Sequence, residues 1–169
     1  MVRAVTLVAA VAAVWGPMQL KSADCPPQRP IVRAAMSIDC GGDNRSPALV
    51  WSNAPADAKS FAVVMHDADA PIAGGFYHWV AYNLPAGSNS LAAGARLSPS
   101  QAGINSLGKA AYYGPCPPPG PAHHYTIKLY ALDLGAIAAG SPLTAAQLEE
   151  RIKSHVLATA VLPTTASSP

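Results

Sequence analysis

Period-2 alternation is the dominant pattern of this chain. Tyr125, Ile127, Leu129 and Ala131 alternate with Thr126, Lys128 and Tyr130, which predicts a strand over 125–132. By the same period, His123 and Tyr125 fall on one side of it. The run 61–65 is instead continuously apolar and includes two valines, the mark of a strand buried on both faces. Shorter patterns predict strands at 18–22, 48–51, 76–84 and 158–162. The runs 61–65 and 76–84 are separated by a loop of about ten residues, which suits a wide antiparallel hairpin.

Helical period is clear only over 141–157. Thr144 is placed to cap, Gln147 completes a capping box, and Leu143 with Leu148 fits a hydrophobic staple. Leu148, Ile152, Val156 and Leu157 form the expected apolar stripe, with Glu149, Arg151 and Lys153 in water. From 85 to 124 strand signals nearly vanish, and a long loop of this kind in a small domain commonly carries function. Its tract 115–121, PCPPPGP, has too many fixed φ angles and missing donors for a helix or a central strand. The chain therefore reads as mainly β and antiparallel, with one helix.

Composition narrows this picture. The chain has 169 residues, 50% hydrophobic and 12% charged, which is enough for one core and too little for two ordinary domains; the domain is placed at 17–162. A formal charge of +2 gives no electrostatic case for nucleic acid. Residues 1–16 carry Arg3 and then an apolar run, about the length of a signal core and short of the roughly 20 residues of a membrane span. They read as a signal peptide for export to the periplasm or beyond. The other reading is an apolar element packed on a cytoplasmic domain. Residues 163–169, PTTASSP, read as a disordered tail. Cys25, Cys40 and Cys116 allow at most one intramolecular disulfide, and their spacing does not choose the pair. No C-x-x-C spacing suggests zinc, and no cofactor is expected.

Candidate chemistry concentrates in two stretches, HDADAPIAGGFYHW (66–79) and YYGPCPPPGPAHHY (112–125). Between Ala70 and Leu132 there is no Asp or Glu, yet the interval holds three of the five histidines. Asp67 and Asp69 thus face a cluster of imidazoles set among rigid turns, an arrangement suited to gripping a small anion. The ring N–H groups of His78 and His123, the hydroxyls of Tyr112 and Tyr125, and backbone N–H groups at Gly114 and the 116–118 turn are the candidate donors. Asp67 is placed to orient a histidine, and a carboxylate beside a histidine favours its charged form, so binding is expected to strengthen at lower pH. Asp69 serves equally well as a turn residue, and His66 and His124 read as structural.

These stretches also carry a resemblance. DADAP (67–71), HW (78–79), GPCPPPG (114–120) and HHY (123–125), with SPALVW (46–51), NSLG (105–108) and LYALD (129–133) in order, resemble the phosphatidylethanolamine-binding protein family in its bacterial Raf-kinase-inhibitor-like branch. The resemblance covers about residues 18–162. It implies a β-sandwich of two antiparallel sheets with peripheral helices, and an anion pocket lined by Asp67, Asp69, Pro71, His78, Tyr112, Pro117, His123 and Tyr125. It also places Cys40 and Cys116 where bacterial relatives often carry cysteine, and suggests a homodimer. Two positions depart from the family pattern: Ala68 stands for a usual Pro and His124 for a usual Arg. The function expected is binding of phosphate-containing or phospholipid head groups, with possible regulation of a protein partner. The alternatives are an interaction module or a protease or kinase inhibitor without ligand, and, less favoured, a hydrolase or metal-dependent activity. Catalysis is not expected, because no Ser or Cys stands in a nucleophile motif.

Overall fold

The computed structural model describes residues 16–168, so the predicted leader lies, but for Gly16, outside the described residues. Strands form at each predicted place, and a two-residue strand, β5, adds to them in the stretch without strand signals: β1 (Gln19–Lys21), β2 (Leu49–Ser52), β3 (Ser60–Asp67), β4 (Phe76–Pro85), β5 (Ser90–Leu91), β6 (His123–Leu132) and β7 (Val156–Ala166). One α-helix, α1 (Ala145–Ile152), and two 3-10 turns at Arg33–Ala35 and Ile38–Cys40 complete the elements. The strands make a three-stranded sheet, β1-β2-β5, and a four-stranded sheet, β4-β3-β6-β7. Every pairing within them is antiparallel. Among the described residues no helix is long and apolar enough to cross a membrane.

The continuous apolar run of β3 is explained by its position. Phe61, Val63 and Met65 point into the layer between the sheets, beside Trp51, Trp79, Ile127 and Leu129. Ala62 and Val64 point the other way, where Leu148 and Ile152 of α1 cover the sheet with Tyr82 and Leu132. A strand covered on both faces cannot alternate, even in an antiparallel sheet. Burying a side chain such as Phe61 or Leu129 contributes about 1.5–3 kcal/mol each.

The capping box at the start of α1 is present as the spacing predicts: the Thr144 hydroxyl accepts from the Gln147 N–H, and the Gln147 side chain accepts from the Thr144 N–H. The helix is shorter than its pattern. It ends at Ile152, and Val156, expected on its apolar stripe, opens β7 by pairing with Leu132. Leu157 is accordingly half-exposed. Ladder bonds to β6 outweigh the modest helical propensity of a Ser-His-Val stretch.

The C-terminal stretch also differs from expectation. β7 continues to Ala166, so 163–166 is strand rather than disordered tail. Thr164 and Ala166 are buried, Thr165 bonds the Ile31 N–H, and Ala166 pairs with His123. Alternation in small residues is invisible to hydropathy, so this end carries no strand signal in the sequence.

Cys40 and Cys116 form a disulfide with Cα atoms 5.5 Å apart, leaving Cys25 free and buried.

Thr144→Ala should cost about 1 kcal/mol of unfolding free energy, with Thr144→Ser close to neutral, in denaturant melts followed by circular dichroism. Because the disulfide closes a loop across a separation of 76 residues, Cys40→Ser with Cys116→Ser should cost about 2–4 kcal/mol, read as a lower Tm that reductant no longer changes.

Candidate functional site

One end of the four-stranded sheet gathers the polar residues. Asp67 is the last residue of β3 and pairs with Phe76, the first of β4, on one side and with Tyr125 of β6 on the other. Residues directly opposite in a ladder share a face, so these three turn toward the inter-sheet layer. His78 reaches the same face through an irregularity. Met65 pairs with Trp79 but His66 pairs with Tyr77, which leaves His78 as the extra residue of a bulge. The bulge lets Trp79 enter the core while its neighbour His78 lines the adjoining cavity.

That cavity has a volume of about 170 Å³. Asp67, His78, His123 and Tyr125 are its polar wall, Tyr113 and Cys116 flank it, and Ala70, Pro71, Ile72, Phe76, Pro117 and Pro118 make the apolar remainder. Asp67, although a carboxylate, is only 3% exposed. Its Oδ2 lies 2.8 Å from His123 Nδ1 and its Oδ1 accepts the Asp69 N–H at 2.9 Å. Burying a charge is tolerable only with partners of this kind. His78 Nδ1 lies 2.7 Å from the Tyr113 carbonyl oxygen. Burial pushes His78 down to about 4, against smaller upward pulls from that carbonyl and from Asp67. Phe76 packs 4.5 Å from the His78 ring and Tyr125 stands edge-on at 5.3 Å. The buried Tyr125 hydroxyl lies beside Asp67 without a hydrogen bond of good geometry, and its ionisation is suppressed first by burial and then by that carboxylate.

Of the residues singled out from sequence, Asp67, Pro71, His78, Pro117, His123 and Tyr125 meet at this cavity. Asp69 does not line it: its carboxylate accepts from both the N–H and Nδ1 of the exposed His124, at 2.8 and 2.7 Å. The His124 bond holds the Asp69 carboxyl below its usual range. That places the second departure from the family pattern, His124, in a surface pair outside the cavity. Tyr112 turns away from it, donating to the Ala35 carbonyl at 2.6 Å and meeting Trp79 edge-on. Gly114 is no free donor either, because its N–H is taken by Asn44 Oδ1 at 2.7 Å. Glycine is required there for close approach: a Cβ would run into the backbone of Ala35, Met36 and Ser37. Pro117 and Pro118 have no N–H to offer.

Tyr113 and Phe76 are the residues that sequence reasoning missed. Tyr113 occupies the wall where Tyr112 was expected, and its hydroxyl donates to Asp39 at 2.8 Å. Outside a ladder, nothing in the sequence tells which of two consecutive tyrosines faces inward. Phe76 was legible as a strand start, but its facing depended on the bulge. His66 lies off the cavity, stacked on Tyr77 and bonded through Nε2 to the Gly74 carbonyl. Among the described residues no group of three or more His, Cys, Asp or Glu is placed to hold a metal ion.

Comparison with known proteins agrees with this architecture. The family model described as phosphatidylethanolamine-binding protein matches residues 22–167. The Escherichia coli protein YbhB is 38% identical over 125 residues, covering 70% of this chain and 79% of its own. YbcL of the same organism is 37% identical over 129 residues, covering 72% and 70%. The crystal structure of YbcL, described as a member of the mammalian PEBP family, superposes with a TM-score of 0.82 at 31% identity, covering 90% of this chain and 99% of that one. With the two-sheet fold and a family match across nearly the whole described chain, this protein belongs to the phosphatidylethanolamine-binding protein family.

Proposed function

We propose that the cavity binds a small phosphate-bearing ligand, either a free phosphorylated molecule or a phospholipid head group, and that the protein is a binding protein rather than a hydrolase. The observation that carries this reading is the Asp67–His123 pair at the cavity wall, with the Tyr125 hydroxyl beside it. As an imidazolium, His123 would keep its Nδ1–H on Asp67 and offer its Nε2–H to an anionic oxygen. The Tyr125 hydroxyl, beside Asp67 on the same wall, is a second candidate donor.

Size and lining support a compact group. A volume of about 170 Å³ is below the roughly 300–1,000 Å³ of a drug-sized pocket. The apolar part of the lining, with Ile72 half-exposed, would meet carbon next to the phosphate rather than a second charge. Export is part of the proposal. It rests on the apolar N-terminal run together with the Cys40–Cys116 disulfide, since such bonds persist in oxidising compartments.

His123→Ala and Asp67→Asn should each weaken phosphate binding on the order of 10-fold or more in calorimetric titration. Retention of full affinity in both variants would sink the proposal. The buried His78 gives a separate signature. Its folded-state value, about 4, lies below the unfolded histidine's, so between about pH 6.5 and 4 the unfolded chain binds the extra proton and stability falls as pH falls. Denaturant melts should lose on the order of 3 kcal/mol across that window, and His78→Gln should remove the loss while lowering stability at neutral pH.

A further inference from the structure

The segment 112–122 is fastened unequally along its length. Up to Pro115 hydrogen bonds hold it: the Tyr113 N–H donates to the His78 carbonyl at 2.9 Å, the Gly114 N–H to Asn44, and the Pro115 carbonyl accepts the Ser37 N–H at 3.1 Å. At His123 the ladder resumes, through Ala166 of β7. Between these points Pro117, Pro118, Pro119 and Pro121 have no N–H to give. Among the described residues, one hydrogen bond reaches this stretch, from the Ser168 hydroxyl to the Pro117 carbonyl. The other attachment is covalent, from Cys116 to Cys40. Cys116, Pro117 and Pro118 all line the cavity, so its least fastened wall hangs on that bond.

The Cys40 end keeps its place by other means. Its N–H donates to the Ser37 carbonyl at 3.1 Å and the next N–H, of Gly41, to the Ile38 carbonyl at 2.9 Å, which closes the 3-10 turn around it. The same Ser37 holds Pro115, the neighbour of Cys116, so two reduced sulfurs would stay within reach of each other. The Ser168 hydroxyl lies 3.6 Å from Cys40 Sγ, which joins the chain's C-terminal end to this junction. Cys25 stands apart from the exchange: it is 1% exposed, and burial pushes its thiol up to about 11, which leaves it neither accessible nor ionised near neutral pH.

We propose that the Cys40–Cys116 bond is a redox latch on the cavity wall: closed, it seats residues 116–122; open, it releases them while both sheets stay folded. Closure takes a disulfide-bearing oxidant, either a protein disulfide or oxidised glutathione. One cysteine thiolate attacks it, forming a mixed disulfide and expelling a thiolate. The second cysteine then attacks the first cysteine's sulfur and expels the other, so the oxidant gains the two electrons and the two protons that the cysteines lose. The consequence for binding rests on the anion-pocket reading above. If the released wall holds its seated arrangement about a tenth of the time, apparent affinity falls about 10-fold. A chain still in a reducing compartment would then carry an incomplete cavity, completed only where disulfides persist.

The test compares the oxidised protein with the same protein reduced by dithiothreitol. Nitrogen-15 relaxation should show the Cys116 amide order parameter falling from about 0.85 to about 0.6 or below on reduction, with Tyr113 and Gly114 unchanged and the far-UV circular dichroism spectrum retained. Oxidised glutathione should restore the first state. An unchanged Cys116 amide overturns the latch, and so does loss of the whole fold on reduction. Calorimetric titration with inorganic phosphate should give about 10-fold weaker binding to the reduced form. Equal affinity in the two forms overturns the latch and leaves the anion pocket standing. Binding to neither removes the pocket reading, and the latch then stands or falls on the relaxation measurement. Cys116→Ser, without reductant, should match the reduced wild type in both measurements; behaviour like the oxidised form overturns the latch.

Discussion

The buried carboxylate of Asp67 is the constraint on which the site depends. It ends a strand covered on both faces and is itself almost inaccessible, so it is stable as an anion only if donors meet it. The two that do come from different ranges: the Asp69 N–H two residues on, and the His123 ring 56 residues on. The distant one fixes the ladder. Asp67 pairs with Tyr125, and a slip of one residue between β3 and β6 would turn both His123 and Tyr125 to the other face. On the far side of β6, Ala166 of β7 pairs with His123, which ties the strand end carrying the histidine to the sheet.

The other wall of the cavity has no ladder and is held by side chains instead. The segment around 112–118 is fastened to the 3-10 region by the Tyr112 hydroxyl on Ala35, the Tyr113 hydroxyl on Asp39, the Gly114 N–H on Asn44, the Ser37 N–H on the Pro115 carbonyl, and the disulfide between Cys40 and Cys116. Each hydrogen bond alone contributes about 1 kcal/mol, but together they fix a chain that prolines have deprived of its own donors. The same fastening explains why Tyr112 and Gly114 do not touch the cavity: they hold the wall rather than form it.

What was legible in the sequence follows from this division. Regular alternation marked β6, the apolar run marked β3, and the Thr144–Gln147 spacing marked the start of α1, because each is a local consequence of burial or capping. The meeting of Asp67, His78 and His123 was legible through the family motifs and through period 2 in β6. Four things were not. The bulge at His78 depends on how β4 seats against β3; the inward choice of Tyr113 over Tyr112 depends on bonds to a segment some 70 residues away; the strand over 163–166 is written in small residues; and the helix ends early because β6 claims Val156. All four are decided by partners distant in sequence, where local pattern has no hold.

A carbonyl and a carboxylate are both acceptors, and each fixes the tautomer of the histidine it meets. Only the carboxylate carries the charge that compensates an imidazolium. Placing one behind each ring gives two identical side chains, in neighbouring parts of one cavity, different surroundings. The two are linked, since a positive His123 further disfavours a positive His78. Exchanging the two backing groups would place the cation deeper, against Phe76 and the Tyr113 ring, where its counter-ion would follow but water would be scarcer. The order of the acceptors, carboxylate behind the less buried ring and carbonyl behind the more buried one, is the arrangement in which each ring's Nδ1 is satisfied before any ligand arrives.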